Sequence, residues 1–313
     1  MAAIALAVAG SAHAQSFPTK PMRLVASTLP GSQPDTIART IAQKMSDAWG
    51  VPVVVDNRAG GGGTLAALPV AKAAPDGHTL LYVLPNFTIN AVMQPNLPFD
   101  PVKDFAGVSH LGLSTNVLVV APSLGVKTVK DFVALAKTQP GKLIHASSAA
   151  GTASHLTGLR FNLLAGIKAV NVAYKGGPEA TIELLGGRAH YHVGTMGVLL
   201  PFVKDGKLVA LGVTTPQRAP SLPDVPALGE IYAEFKRPET SHGLLAPAGT
   251  PRAVLIKISK EVARILTLPD VRERLDNISY VATPSSPEEY DQIRRGQVAA
   301  LAKLVTDAGL KPK

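Results

Sequence analysis

The sequence "KLIHASSAAGTASHLTGLRFNLLAG", residues 142–166, changes character twice along its length. Residues 142–147 are a short apolar run of strand type, and "HLTGLRFNLLAG" from His155 onward reads as a helix. Between them, "SSAAGTASHL" (147–156) gathers three serines, a threonine, a glycine and a histidine. A polar loop at the carboxyl end of a strand and the start of a helix suits three kinds of site. It can be the nucleophile turn of a serine hydrolase, a phosphate cradle, or a polar mouth that grips a small anion.

The same strand, loop and helix succession recurs on both sides. "MRLVAS" (22–27) precedes a segment in which Ile37, Ile41, Met45 and Ala48 recur at helical spacing. "VPVVVD" (51–56) precedes a glycine loop and "TLAALPVAKAA", and "HTLLYVL" (78–84) follows the turn Pro75-Asp76-Gly77. "NVLVVAP" (116–122) leads into a helix opening at Thr128, with Asp131 at the third position as a capping box. Strands at 169–174, 189–194 and 207–215 follow, with a helix in "GGPEATIELLGG" and a proline-rich connection at 217–228. This order predicts an α/β chain of two lobes, each a mostly parallel sheet with helices on both faces. The apolar strands 116–122 and 242–246 are expected to cross between the lobes. Residues 15–122 and 242–313 then form the first lobe, and 123–241 the second.

The chain has 313 residues, enough for two domains, and its 46% hydrophobic content is globular. Only 5% is aromatic, so the core must be aliphatic. Lys and Arg outnumber Asp and Glu by 31 to 22. They are scattered rather than striped, which argues against a nucleic-acid partner and for attraction of small anions. At the N-terminus an apolar run ends in Ala12-His13-Ala14, the small-x-small pattern of signal-peptidase cleavage. Residues 1–14 therefore read as the remnant of a signal peptide whose start lies further upstream, with the mature chain beginning at Gln15. No segment has the roughly 18 consecutive apolar residues of a membrane span. The absence of cysteine fits export without disulfides.

The catalytic and cofactor patterns fit poorly. "GVSHL" (107–111) and "GTASH" (151–155) both lack the Gly-x-Ser-x-Gly of a nucleophile elbow. Ser154 and His155 are adjacent on a helix and do not face each other. His190 and His192 share one face of a strand, but no further metal ligand stands at a suggestive spacing. "DNRAGGGGT" (56–64) is followed by neither a ribose-binding acid nor Gly-Lys-Ser/Thr, so it reads as a tight turn. No metal and no cofactor are expected.

The anion reading has two supports. A helix start offers unpaired N–H groups and the positive end of the helix dipole. "STLPGSQPD" (27–35) places Gly31, Ser32 and Pro34 at one such start, although Ser32-x-x-Asp35 also reads as a plain capping box. "SSAAGTASHL" repeats the arrangement in the second lobe, where Gly151 lets the backbone approach a ligand.

Taken in order, several further segments complete a pattern: "AKAAPDGHTLL", "LPFDPVKDFAGVS", "VAYKGGPEAT", "ELLGGR", "KLVALGVTT", "SLPDVPAL" and "GLLAPAGTP". With the two loops, they make the mature chain resemble the periplasmic substrate-binding proteins of tripartite tricarboxylate transporters, the Bug family. The resemblance implies a type II-like Venus flytrap that closes on a carboxylate and delivers it to membrane transporter subunits, acting as a monomer without catalysis. It implies ligand contacts from Thr28, Leu29, Gly31, Ser32 and Asp35, the last through water. It adds Ser147, Ser148, Gly151, Thr152, Ser154 and His155 from the second loop. Tyr174, Gly194 and Thr195, and the segment Pro85-Asn86-Phe87, are implied to line the cleft.

This chain departs from the family's pattern at informative places. Ser27, Thr28, Leu29, Pro30, Gly31 and Ser32 replace a Pro-Phe-x-Pro-Gly-Gly loop. Gly194-Thr195 stand where Asp-Ser is usual, and Ala150 and Ala153 where Asn and Ser are usual. Loss of an acid and gain of small apolar residues suggest a carboxylate with an apolar or aromatic body, rather than citrate with its three charges. Two other functions compete with the transport receptor. One is a ligand sensor feeding a membrane signalling partner; the other is an exported hydrolase using Ser154 or Ser147.

Overall fold

Strands and helices alternate as the residue pattern requires, and they build two separate sheets. The computed structural model describes residues 17–148, 152–236 and 241–310. The signal-peptide reading of 1–14, the start at Gln15, and the readings of Ala150 and Gly151 lie outside the described residues.

Before the first crossing the strands are β1 (Met22–Ala26), β2 (Val53–Asn57), β3 (Thr79–Val83) and β4 (Phe105–Ser114). The second half holds β5 (Asn116–Val120), β6 (Ile144–Ser147), β7 (Val170–Ala173), β8 (Tyr191–Thr195) and β9 (Val209–Val213). The chain then returns with β10 (Ser241–Pro247) and β11 (Tyr280–Ala282). The helices are α1 (Gln33–Trp49), α2 (Thr64–Ala71), α3 (Pro85–Met93), α4 (Val129–Thr138) and α5 (Ala153–Ala165). They continue with α6 (Gly177–Leu185), α7 (Met196–Lys204), α8 (Arg252–Thr267), α9 (Pro269–Asn277) and α10 (Pro287–Asp307).

The first sheet runs β11-β4-β10-β3-β1-β2 and the second β7-β6-β8-β5-β9. Each has a parallel core (β2-β1-β3 and β7-β6-β8) and an antiparallel insertion made by the strand that arrives from the other half. The sheets are therefore mixed, with less parallel pairing than expected. Apart from the extra edge strand β11, the two orders correspond strand for strand, the arrangement of a type II-like binding protein. One boundary also moves. β4 belongs to the first sheet and β5 to the second, so the crossing falls at Thr115. Residues 116–120, expected in the first lobe, are a strand of the second sheet.

Alternate residues of each strand face opposite layers. In the first sheet Leu24, Leu80, Tyr82 and Leu244 pack against Ile37, Ile41 and Met45 of α1 and Ile258 and Val262 of α8. On the other face Val25, Leu81, Val83 and Leu245 meet Ala66, Ala67 and Val70 of α2 and Tyr290 of α10. The second sheet repeats this, with Leu118, Val120 and Val193 against α4 and α5, and Val117, Val119 and Val213 toward α6 and α7. Covering both faces explains why these strands read as unbroken apolar runs.

Packing also explains glycines that carry no turn. A Cβ on Gly243, in β10, would lie 1.9 Å from the Tyr290 hydroxyl and 2.1 Å from Cζ. Gly243→Ala should therefore destabilise the protein by roughly 1–3 kcal/mol through overpacking. Calorimetry would read this as a Tm lowered by several degrees; an unchanged Tm would show that the Tyr290 ring is not held against the strand.

Candidate functional site

The carboxyl ends of the parallel strands in both sheets open onto one cavity of about 390 Å³. The first half contributes Gln33, Pro34, Leu84, Pro85, Asn86, Ser114 and His242. The second half contributes Asn116, Ser148, Thr152, Ala153, Ser154, Gly177, Pro178, Thr181, His192, Val193, Gly194, Thr195, Val198 and Leu199. None of these described lining residues carries a formal charge apart from what the two histidines could gain.

Helix starts dominate the wall. Gln33 and Pro34 open α1, and Pro85 and Asn86 open α3. Thr152, Ala153 and Ser154 open α5, Gly177 and Pro178 open α6, and Thr195 caps α7. The five helices α1, α3, α5, α6 and α7 thus direct their N-termini at one space. The first N–H groups of a helix have no partner within it, and the dipole adds partial positive charge there.

Pro85, Asn86, Ser148, Thr152, Ser154, Gly194 and Thr195 come together on the cavity wall. Thr152 Oγ1 accepts from His155 N–H at 3.4 Å as the cap of α5. Ser154 Oγ donates to Val193 O at 2.6 Å, tying the start of α5 to β8. That hydroxyl proton is directed at a carbonyl, not at an imidazole, which removes the geometry a serine nucleophile needs. Ser147 is wholly buried and its Oγ is directed at Val172 O, so it too lies behind the wall.

The remaining expected contacts stand elsewhere. Phe87 packs with Phe99 and Phe105 in the core of the first half. Tyr174 covers the Ala146, Ala180 and Ala189 cluster behind the second loop. His155 is buried, and Leu29 is exposed outside the cavity lining. Ser32 Oγ donates to Leu29 O at 2.6 Å and closes the 29–32 turn.

Asp35 does not face the cavity. Only 2% exposed, its carboxylate accepts from Gly31 N–H at 2.8 Å, Arg39 Nε at 2.9 Å and Asn57 Nδ2 at 2.7 Å. Asn57 Nδ2 also donates to Thr28 Oγ1 at 2.9 Å. Asp35, Gly31 and Thr28 are thus braces of the first loop, because a buried carboxylate needs its full set of donors and finds them in the protein. Burial acts to raise the Asp35 pKa, but the bonds from Arg39, Asn57 and Gly31 outweigh it and hold the carboxyl below its ordinary value.

Sequence reasoning missed the floor of the cavity. Ser114 and Asn116 flank the crossing at Thr115, and His242 lies 2% exposed on β10. His242 shares hydrogen bonds with Tyr82 OH at 2.7 Å and Ser114 Oγ at 3.0 Å. Burial, helped by His110, pushes its pKa down to about 3, so the ring is neutral. His192, weighed at the sequence level only as half of a metal pair, is a wall residue, whereas His190 Nδ1 accepts from Ile144 N–H. The glycine loop at 60–63 is a tight turn with positive φ throughout. Asn90 of α3 donates to the carbonyls of Gly61 and Gly62 and fills the space a Cβ on Gly62 would need.

The family model described as "Tripartite tricarboxylate transporter family receptor", TctC, matches residues 37–310. The chain belongs to that family. BugT of Bordetella pertussis is 29% identical over 309 residues, 98% of this chain and 94% of BugT. Among solved structures, Rpa4515 of R. palustris with adipate is 30% identical with a TM-score of 0.77, covering 95% of this chain and all of that one. MatC (Rpa3494) of Rhodopseudomonas palustris with bound malate is 29% identical with a TM-score of 0.73, covering 92% and 100%. TctC proteins are non-catalytic solute receptors of the periplasmic binding-protein class, and this chain has their two-sheet fold.

The Asp35 brace makes acid stability the accessible readout. A carboxyl held below its ordinary 3.8 contributes stability in full above that value and loses it as pH falls through the folded pKa. Asp35→Asn should lower stability at neutral pH by about 1–3 kcal/mol, since it leaves buried donors poorly matched. The gap between variant and wild-type Tm should narrow below about pH 4. A gap that stays constant into strong acid would show that the carboxylate charge is not what braces the loop.

Proposed function

We propose that this receptor holds a small carboxylate in the cavity between its two sheets and hands it to the membrane subunits of a tripartite transporter. The observation that carries this is the convergence of five helix N-termini on a cavity with no charged side chain in its described lining. Backbone N–H groups at helix starts form an anion site without a lysine or arginine. That relatives are described with adipate and with malate supports a carboxylate as the anion.

The ligand is a carboxylate with an apolar or aromatic body. Leu84, Pro85, Pro178, Val198 and Leu199 supply apolar wall against which such a body can lie. A volume of about 390 Å³ lies at the small end of ligand pockets and suits an acid of modest size. Ser148, Thr152, Asn86 and Thr195 are the polar contacts proposed for the carboxylate end. The two halves, joined at Thr115 and again where the chain returns into β10, close by a hinge. The receptor works as a monomer in the periplasm, reached through an N-terminal signal peptide.

A thermal-shift screen of aromatic, aliphatic and multiply charged acids tests the reading. A preferred monocarboxylate at a hundred times its Kd should add about 2.7 kcal/mol of stability, while citrate adds little. Thr152→Ala should cost about 1 kcal/mol as a lost helix cap and weaken ligand binding by tenfold or more. Aromatic acids binding no better than citrate in calorimetry would sink the ligand class. Absence of stabilisation by any carboxylate would sink the receptor reading.

A further inference from the structure

His192 stands in the cavity wall with 1% of its surface exposed. Its Nδ1 lies 2.7 Å from Ala146 O, and a carbonyl only accepts, so Nδ1 carries the proton. The lone pair of the neutral ring is then on Nε2. Burial lowers the pKa of His192 and outweighs the Ala146 bond, which keeps the second proton off. Among the described residues, Nε2 has no hydrogen-bond partner.

Gly194 explains how that nitrogen reaches the wall. A Cβ on residue 194 would lie 2.3 Å from Nε2 and 2.7 Å from Cδ2 of His192, closer than real contacts allow. The imidazole therefore occupies the space that a side chain at 194 would take, and both residues line the cavity. The cavity has two chemically different regions: N–H groups at the helix starts, and a fixed acceptor at His192. A carboxylate oxygen against Nε2 would meet a lone pair, whereas a hydroxyl there would donate to it.

We infer that His192 is a specificity residue whose Nε2 accepts a hydrogen bond from a hydroxyl on the body of the ligand, selecting hydroxylated monocarboxylates over the plain acids. The inference rests on the carboxylate-receptor reading and narrows it. A ligand that covers Nε2 without donating to it leaves the acceptor unmet, so the donor-bearing ligand gains relative to its analogue.

Calorimetry with two series tests it: benzoate against the ortho, meta and para hydroxybenzoates, and hexanoate against 6-hydroxyhexanoate. The wild type should bind at least one hydroxylated member about tenfold more tightly than its parent acid. His192→Leu, which fills similar volume without nitrogen, should bind parent and hydroxylated acids within about twofold of each other. Should that variant fail to fold, the wild type still decides through the ¹⁵N resonance of His192 Nε2. It should move with the preferred hydroxy acid and stay in place with the parent. Equal binding within both series, a preference that survives His192→Leu, or an unmoved resonance would overturn the inference while leaving the receptor reading intact. Absence of binding across both series would overturn the receptor reading itself.

Discussion

An anion can be held in a protein without a single cation if enough backbone N–H groups face it, and that constraint orders this fold. Each N–H at a helix start is fixed by the strand that feeds it, so placing several around one point requires several strands to end together. The parallel cores β2-β1-β3 and β7-β6-β8 do this twice, and their carboxyl ends face each other across the cavity. α7 joins the set through Thr195, while Thr115 O accepts from Met196 N–H at 2.9 Å and ties that helix start to the crossing. The helix that presents N–H groups to the cavity is therefore anchored at the point where the halves meet.

The halves also meet outside the cavity. Ile89 of α3 and Leu301, Leu304 and Val305 of α10 pack with Leu156 of α5 in one apolar cluster. α3 and α5 are two of the helices whose starts line the wall. Contact between their bodies holds those starts on facing sides of the cavity, and any opening of the halves has to expose part of this cluster. Apolar contact of this kind favours closure without selecting the ligand, which leaves selection to the wall.

Much of the architecture was legible because period-two and period-3.6 patterns are strong where an element has one covered face. The exceptions share a cause. β4, "FAGVSHLGLS", is buried on both faces and interrupted by Gly107 and Gly112, so it shows no alternation. α7 contains Pro201 and reads as a break. The crossing at Thr115 could not be located, because "NVLVV" is equally apolar in either sheet. In the site, two of the five helix starts were visible from loop composition. The starts of α3 and α7 entered only through the resemblance, as Pro85, Asn86 and Thr195, and the start of α6 was not expected in the site, because its contribution is backbone N–H, which any residue type but proline supplies. Asp35, expected to reach a ligand through water, stands behind the lining for a related reason. An acid at a helix start looks the same in sequence whether it meets a ligand or the protein, and only the positions of Asn57 and Arg39 decide between them.

Those bracing bonds bear on how affinity is distributed. A site built from lysine or arginine concentrates its attraction in a few side chains. In the proposed site the attraction is spread over peptide groups, since no described lining side chain apart from the two histidines can carry a charge. What matters is how firmly the loops hold their N–H groups in place before the ligand arrives, since ordering them on binding would cost affinity. In the first half that firmness comes from a buried carboxylate gathering Gly31, Arg39 and Asn57, with Thr28 linked through Asn57. In the second it comes from Ser154 pinned to Val193 O, and from Thr152 capping α5. The residues that look most like ligand contacts in the sequence thus divide into two sets: one that faces the cavity, and one that makes the facing set rigid.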